Sequence, residues 1–400
     1  MSTYNIRNLF PFKRVKIKKI ETGSSGAITL VKLVPDERFS PICSNCKKPF
    51  ISVHSKHTRA VRDMPMSGSI VIIYLTFRKG FCDSCNGIKV EYHDFVEPYE
   101  RFTNRFAQYV YELCKHMTVK DVADFTKLSW DQVKRIDKKS LKRDYSKNLT
   151  RHLSILCVDE ISLKKHHHYL TIVANYLTGQ VIAVVKNRDY ESVAKFLKKL
   201  STKLRHKIKA VAMDMWDPYI KAFSEYCPNA CIVFDRFHVI DDFGKVIDKI
   251  RAEQYRNADN NMKNIMKNSR YILLKNPQNL KESEKPRLKQ ILKANELLAT
   301  VYLLKEYLKR IWQYKYKKSA QKFIDYWCHL ANETGSPLLE KFTKMLIRHS
   351  YGLINHCKYQ IHTSKLEGIN NKIKVIKRKA YGFHDIEYFK LKIIQATSAN

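Results

Sequence analysis

The period of apolar and polar positions changes several times along the chain, and each change marks a boundary. The first 100 residues carry short extended runs, such as Ala27 to Val34 and Ser69 to Phe77, punctuated by Gly, Pro and Cys. From 101 to 145 the period becomes helical. Thr118 to Phe125 predicts one short helix, and Ser129 to Ile136 a second opened by a capping box of Ser129 and Gln132. Ala123 and Val133 stand where a helix-turn-helix needs a small residue at the crossing and an apolar one in the second helix. Lys127 holds the turn position where Gly is usual. The second helix then exposes Trp130, Gln132, Lys134, Arg135 and Lys138 as a face able to read a DNA groove. A plain helical hairpin with a solvated basic face is the competing reading.

Beyond 151 the pattern is α/β. Strands are predicted at 152–158, 169–176, 180–186 and 208–213, and from Asn229 to Phe234. Helices are predicted near 190–204 and 217–226. Three consecutive strands followed by alternating helices and strands is the order of a ribonuclease-H-like sheet. Residues 239–350 read as helical throughout, and 363–395 resume with a helix and a dense basic run. The expected organisation is therefore a small β-rich domain over 1–100 and a helix-turn-helix over 101–148. An α/β ribonuclease-H-like core follows over 149–238 and 351–400, interrupted by a helical insertion over 239–350.

Three carboxylates mark this core. Asp159 closes the apolar run Leu153 to Val158, and Asp214 closes Ile208 to Met213. A carboxylate just past a buried strand is well placed, because ligands gather beyond the carboxyl ends of strands in open α/β sheets. Glu367 lies three residues after Ser364 at the start of the last basic helix, where a capping box is the alternative use. Two Asp and a Glu can hold two hard divalent cations, Mg²⁺ or Mn²⁺, suited to phosphoryl transfer. Glu160 is expected to point away from them. Asp235 either helps hold a ligand or pairs with Arg236 or a lysine, and His238 is open between core hydrogen bonding and DNA contact. Trp216 either stacks on an unpaired base or packs in the core on the first turn of its helix. His166 to His168 reads as a solvated turn.

Charge narrows the partner. Seventy-four Lys and Arg against 38 Asp and Glu give a formal +36 over 400 residues. That balance points to a polyanion, nucleic acid above all, and away from an ordinary small-molecule enzyme. Lys372, Lys374, Lys377 and Arg378 are candidate phosphate contacts. Hydrophobic content of 44% argues for folded domains. No transmembrane run or signal sequence is evident, so a cytoplasmic, DNA-associated protein is expected. Ten cysteines in such a chain read as metal ligands or core residues rather than disulfides. Cys43-x-x-Cys46 and Cys82-x-x-Cys85 can supply four thiolates to one structural Zn²⁺, although the gap between the pairs is long.

The order of these features resembles the DDE transposases of bacterial insertion sequences, specifically the ISL-three family. The residues that carry the likeness are the two Cys pairs, Val158-Asp159-Glu160, His168 to Thr171, Met213 to Trp216 with Tyr219, Phe234 to Val239, and Ser364 to Lys372. It implies a zinc-binding N-terminus, a helix-turn-helix, and a ribonuclease-H-like domain whose metal triad is Asp159, Asp214 and Glu367. It further implies cutting of terminal inverted repeats and strand transfer into target DNA, by a homodimer or larger assembly on double-stranded DNA. A catalytically silent DNA-binding regulator descended from such an enzyme is the alternative.

Overall fold

The computed structural model describes residues 6–145, 153–164, 168–361 and 364–398. These form two compact units, Met1–Asp144 and Tyr145–Asn400. His166 and His167 lie outside the described residues.

In the first unit, β1 (Val15–Thr22), β2 (Ile28–Pro35), β3 (Ser52–Arg62), β4 (Ile70–Cys82) and β5 (Gly87–Val90) form one sheet. The order is β1-β2-β4-β3, with β5 also pairing β4. The extended run expected over Ser69 to Phe77 lies in β4, where Val71, Ile73 and Leu75 are buried with Val31 and Leu33 of β2. Three helices follow: α1 (Asn104–His116), α2 (Val119–Thr126) and α3 (Trp130–Tyr145). Phe106, Val110, Val122, Ala123, Val133 and Ile136 form their common core. Ala123 and Val133 thus occupy the interior positions expected of them. Lys127 ends α2 in the left-handed conformation, φ 57°, which does for the turn what Gly does elsewhere at a cost of roughly 1–2 kcal/mol.

The second unit is built on a mixed sheet of β6 (Ile155–Lys164), β7 (His168–Asn175), β8 (Val181–Lys186), β9 (Ala210–Met213) and β10 (Cys231–Phe234). The strand order is β10-β9-β6-β7-β8. The β6–β7 and β7–β8 pairs are antiparallel, and β9 and β10 run parallel to β6. Between β8 and β9 lie α4 (Tyr190–Lys199) and α5 (Thr202–Lys207), and between β9 and β10 lies α6 (Asp217–Tyr226). One helix was expected near 190–204. It breaks at Ser201, whose hydroxyl accepts from the Leu204 N–H and starts a new helix.

From Arg236 the chain is helical: α7 (Arg236–Asn257), α8 (Asn260–Met266), α9 (Arg270–Leu274), α10 (Glu284–Ala294), α11 (Glu296–Leu308), α12 (Lys317–Asn332), α13 (Pro337–Arg348) and α14 (Ser350–Ile354). This excursion returns to where it left. Asn355 donates to the Ile232 carbonyl of β10 at 2.8 Å, and Tyr351 lies edge-on to Phe234. Gly352 packs so tightly on Phe234 that a Cβ there would stand 2.4 Å from the ring. Two helices, α15 (Ser364–Lys379) and α16 (Ile386–Thr397), then cover the opposite face of the sheet through Leu366, Ile369, Ile373, Phe389 and Ile393. Among the described residues, no helix is long and apolar enough to cross a membrane.

Candidate functional site

The four N-terminal cysteines converge. Their sulfurs all lie within 4.8 Å of one another, with Cys46–Cys82 at 3.4 Å and Cys43–Cys85 at 4.0 Å. Four thiolates around one tetrahedral zinc at about 2.3 Å would sit roughly 3.8 Å apart, so the cluster already has nearly that spacing. All four are free thiols. The long gap between the pairs is spanned by β3 and β4, a hairpin of 11 and 13 residues that carries Cys82 back to the first pair. Asn45 donates from its backbone to Cys43 and from its side chain to Cys85 at 3.3 Å, as residues around thiolate ligands do. A backbone N–H from Lys48 lowers the Cys46 thiol to about 7, while burial raises Cys82 to about 12.

The carboxylates are organised by strand register. In the parallel β6–β9 pair Cys157 stands opposite Ala212, and in β9–β10 Met213 stands opposite Phe234. Continuing each register by two residues and by one brings Asp159, Asp214 and Asp235 into a row across three adjacent strands, whose backbones lie about 4.8 Å apart. Asp214 follows its strand as expected. Asp159 does not: it lies inside β6, opposite Ile172 of β7. The expected strand end at Val158 is corrected because β7 keeps pairing with β6 after β9 has stopped. One flank of Asp159 is therefore open although its strand runs on.

Several contacts define the surroundings. His238 lies between two of the aspartates, Nδ1 3.8 Å from Asp214 and Nε2 3.9 Å from Asp235. Asp235 caps α7 by accepting from the Phe237 N–H and is almost fully buried. Asp159 accepts from the Glu160 N–H at 2.7 Å and from the Asn370 side-chain amide at 2.6 Å. Burial raises the Asp159 carboxyl above its usual range, the Glu160 N–H, His238 and Asn370 oppose that rise, and the Asp235 charge adds to it. Glu160 faces elsewhere and pairs with Arg188 at 3.0 Å, in keeping with strand alternation. Arg188 is sandwiched between Tyr169 and Trp216, 4.5 Å from each ring centre. Trp216 remains 36% exposed at the start of α6, so the core placement weighed for it is not what the fold uses.

A cleft of about 990 Å³ brings Asp159, Asp235, His238 and Glu367 to one surface, with Asn370 and Lys374 of α15 and with Asn276, Lys309 and Arg310 of the helical excursion. Its floor includes Phe237, 69% exposed. Lys372 reaches the Ala396 carbonyl, Lys377 is partly buried, and Arg378 is exposed. Among the described residues, the thiols are the ligand atoms gathered within 4.8 Å, and the carboxylates of Asp159, Asp214 and Glu367 are not drawn that close. In α3, Trp130 and Arg135 are exposed, while Gln132, Lys134 and Lys138 are half-buried. Gln132 completes the capping box with Ser129, Lys134 covers the Trp130 ring, and Arg135 pairs with Glu100 at 3.2 Å. Asn370 was not foreseen as a site residue. Its signal was its place one turn beyond Glu367 on the same helix face.

Residues 156–393 match a family model of DDE transposases, ISL3 type, described as transposase. Residues 91–140 match the helix-turn-helix domain of transposase family ISL3, and residues 40–85 the zinc-finger of transposases IS204, IS1001, IS1096 and IS1165. The transposase for insertion sequence element IS1001 of Bordetella parapertussis is 36% identical over 362 residues, 90% of this chain and 89% of the relative. The transposase for insertion sequence element IS1557 of Mycobacterium tuberculosis is 25% identical over 287 residues, 66% of this chain and 64% of the relative.

Proposed function

Because the chain belongs to the ISL3 family of insertion-sequence transposases, we propose that it binds the terminal inverted repeats of its element, cuts there and joins the ends to target DNA. The observation that carries the catalytic part is the row of aspartates just past the parallel pairing of β6, β9 and β10, with Glu367 lining the same cleft as Asp159 and Asp235. The strand order, with an antiparallel meander on one side of β6 and two parallel strands on the other, supports a ribonuclease-H-like sheet. On this reading the excursion over 239–350 is an insertion that walls the cleft, and double-stranded DNA is engaged by a homodimer or larger assembly.

Asp159, Asp214 and Glu367 would hold two Mg²⁺ or Mn²⁺ ions. The donors are all oxygen, which suits hard cations, and a cation beside Asp159 would offset the burial that raises its carboxyl. When bound, such ions supply Lewis-acid activation of the attacking hydroxyl and stabilise the leaving oxygen. The protein groups do the rest. Asn370 and the Glu160 N–H fix the Asp159 carboxylate, and the His238 ring stands between Asp214 and Asp235. Lys374, Lys309 and Arg310 offer charge to the phosphates of a strand lying in the cleft, with Lys372 before Lys374 on α15 and Lys377 and Arg378 beyond it. Trp216 and Phe237 offer exposed rings to an unpaired base. Terminal-repeat reading falls to the first unit. There Cys43, Cys46, Cys82 and Cys85 would hold one structural zinc, and Trp130, Gln132, Lys134, Arg135 and Lys138 would face DNA.

Asp159→Asn, Asp214→Asn and Glu367→Gln are each expected to reduce Mg²⁺-dependent cleavage of end DNA on the order of 10³-fold or more, since several kcal/mol of charge stabilisation is lost. Mobility-shift binding of the same DNA stays within about twofold of wild type, because phosphate contacts elsewhere supply the affinity. Retained cleavage by one variant removes that residue from the triad. A wild-type chain that binds ends and cuts none would favour the silent regulator.

A further inference from the structure

Glu367 and Asn370 stand three residues apart on α15, so their side chains leave one face of the helix, and both line the cleft with Asp159. The rotation of that helix is fixed from behind. Leu366, Ile369 and Ile373 are buried in the same cluster as Cys157 and Ile161, the residues that share the Asp159 side of β6. Across this packed seam Asn370 Nδ2 donates to Asp159 Oδ2 at 2.6 Å. The other carboxylate oxygen takes the Glu160 N–H at 2.7 Å, so both oxygens are held and the plane of the carboxylate is set.

The far end of the Asn370 amide is less expected. Its Oδ1 is buried and accepts no hydrogen bond. A buried carbonyl left without a donor is costly, and packing alone would favour an apolar side chain of similar volume there. An amide that spends its N–H on a carboxylate and keeps a bare acceptor beside it has the form of a half-complete polar site.

We propose that Asn370 is a positioning residue for Asp159: its N–H orients the carboxylate towards a divalent cation, and its Oδ1 waits for a donor that arrives with the loaded site, a water on that cation. Through this one amide the strand bearing Asp159 and the helix bearing Glu367 are set relative to each other. The inference rests on the reading of Asp159 as a cation ligand.

The test is Mn²⁺ binding by the full-length protein without DNA, followed by the electron paramagnetic resonance signal of free Mn²⁺. Wild type, Asp159→Asn, Asn370→Ala and the near-isosteric Asn370→Leu are compared, with melting in EDTA recorded for each. Loss of an orienting partner is expected to weaken Mn²⁺ binding about 10–100-fold in both Asn370 variants, and to raise the Mn²⁺ needed for half-maximal cleavage by a similar factor. Asn370→Leu is expected to melt in EDTA at or above wild type, because the bare acceptor is gone. Asn370 variants that bind Mn²⁺ as wild type does, while Asp159→Asn does not, would overturn the positioning role and leave the catalytic reading standing. Asp159→Asn that binds Mn²⁺ as tightly as wild type would sink the catalytic reading of Asp159, and this inference with it.

Discussion

The four thiols of the first unit and the carboxylates of the second are both gathered from distant parts of the sequence, yet they are gathered differently. Cys43 and Cys82 are buried, and all four sulfurs lie within 4.8 Å of one another. The cluster closes on itself and leaves no coordination position for a substrate. The carboxylates are spread along a strand row and one helix, Asp159, Asp235 and Glu367 border a cleft of about 990 Å³, and the metal-ligand candidates stay further apart. Thiols can pack closely while protonated, whereas ionised carboxylates repel until a cation comes between them. The difference separates a site that holds a fold together from one that the fold holds open.

The sharpest way to break this comparison is to remove one ligand from each side. Cys43→Ser is expected to lower zinc from about one per chain towards zero and to unfold the β-rich segment, since zinc sites of this kind contribute on the order of 10 kcal/mol to folding. Elemental analysis with limited proteolysis of the full chain checks it, and zinc-free protein with the segment intact would contradict it. Asp214→Asn is expected to do the reverse: cleavage disappears while the melting temperature of the second unit stays the same or rises slightly, because one charge leaves a row shared with Asp159 and Asp235. A fall of several degrees would mean that the carboxylates also hold the fold.

Gly352→Ala sharpens the comparison from behind the row. The added Cβ would stand 2.4 Å from the Phe234 ring, one residue before Asp235. Overpacking of this kind costs about 1–3 kcal/mol, read as a denaturant midpoint shift, and is expected to lower cleavage more than DNA binding. The smallest effect expected is from Lys374→Ala on the cleft wall. It should weaken end-DNA binding only several-fold while lowering the slope of log affinity against log salt by about one. An unchanged slope would take Lys374 off the DNA path.

What the sequence revealed and what it hid follow one physical divide. Local signals were legible. The capping box of Ser129 and Gln132, α6 over Asp217–Tyr226 and the run ending at Asp214 all depend on neighbours a few residues apart. Register was not legible. The apolar run ending at Val158 suggested a strand end, because nothing local says that β7 continues to pair with β6. The alignment of Asp235 with Asp214, and the reach of Asn370 to Asp159, are properties of pairing between segments about 20 and 211 residues apart. Trp216 was half-read for the same reason, since the Arg188 guanidinium that lies on its ring comes from the loop after β8.

The aspartate row carries a consequence for how this gene can vary. Its alignment is written in backbone pairing, so exchanging one apolar side chain for another within β6, β9 or β10 changes packing and leaves the row in place. A single-codon deletion in one of those strands would slide its aspartate by one position and turn it to the opposite face of the sheet. Copies that drift by substitution can therefore keep the row for a long time, whereas in-frame indels in eleven codons, Ile155 to Cys157, β9 and β10, would break it at once.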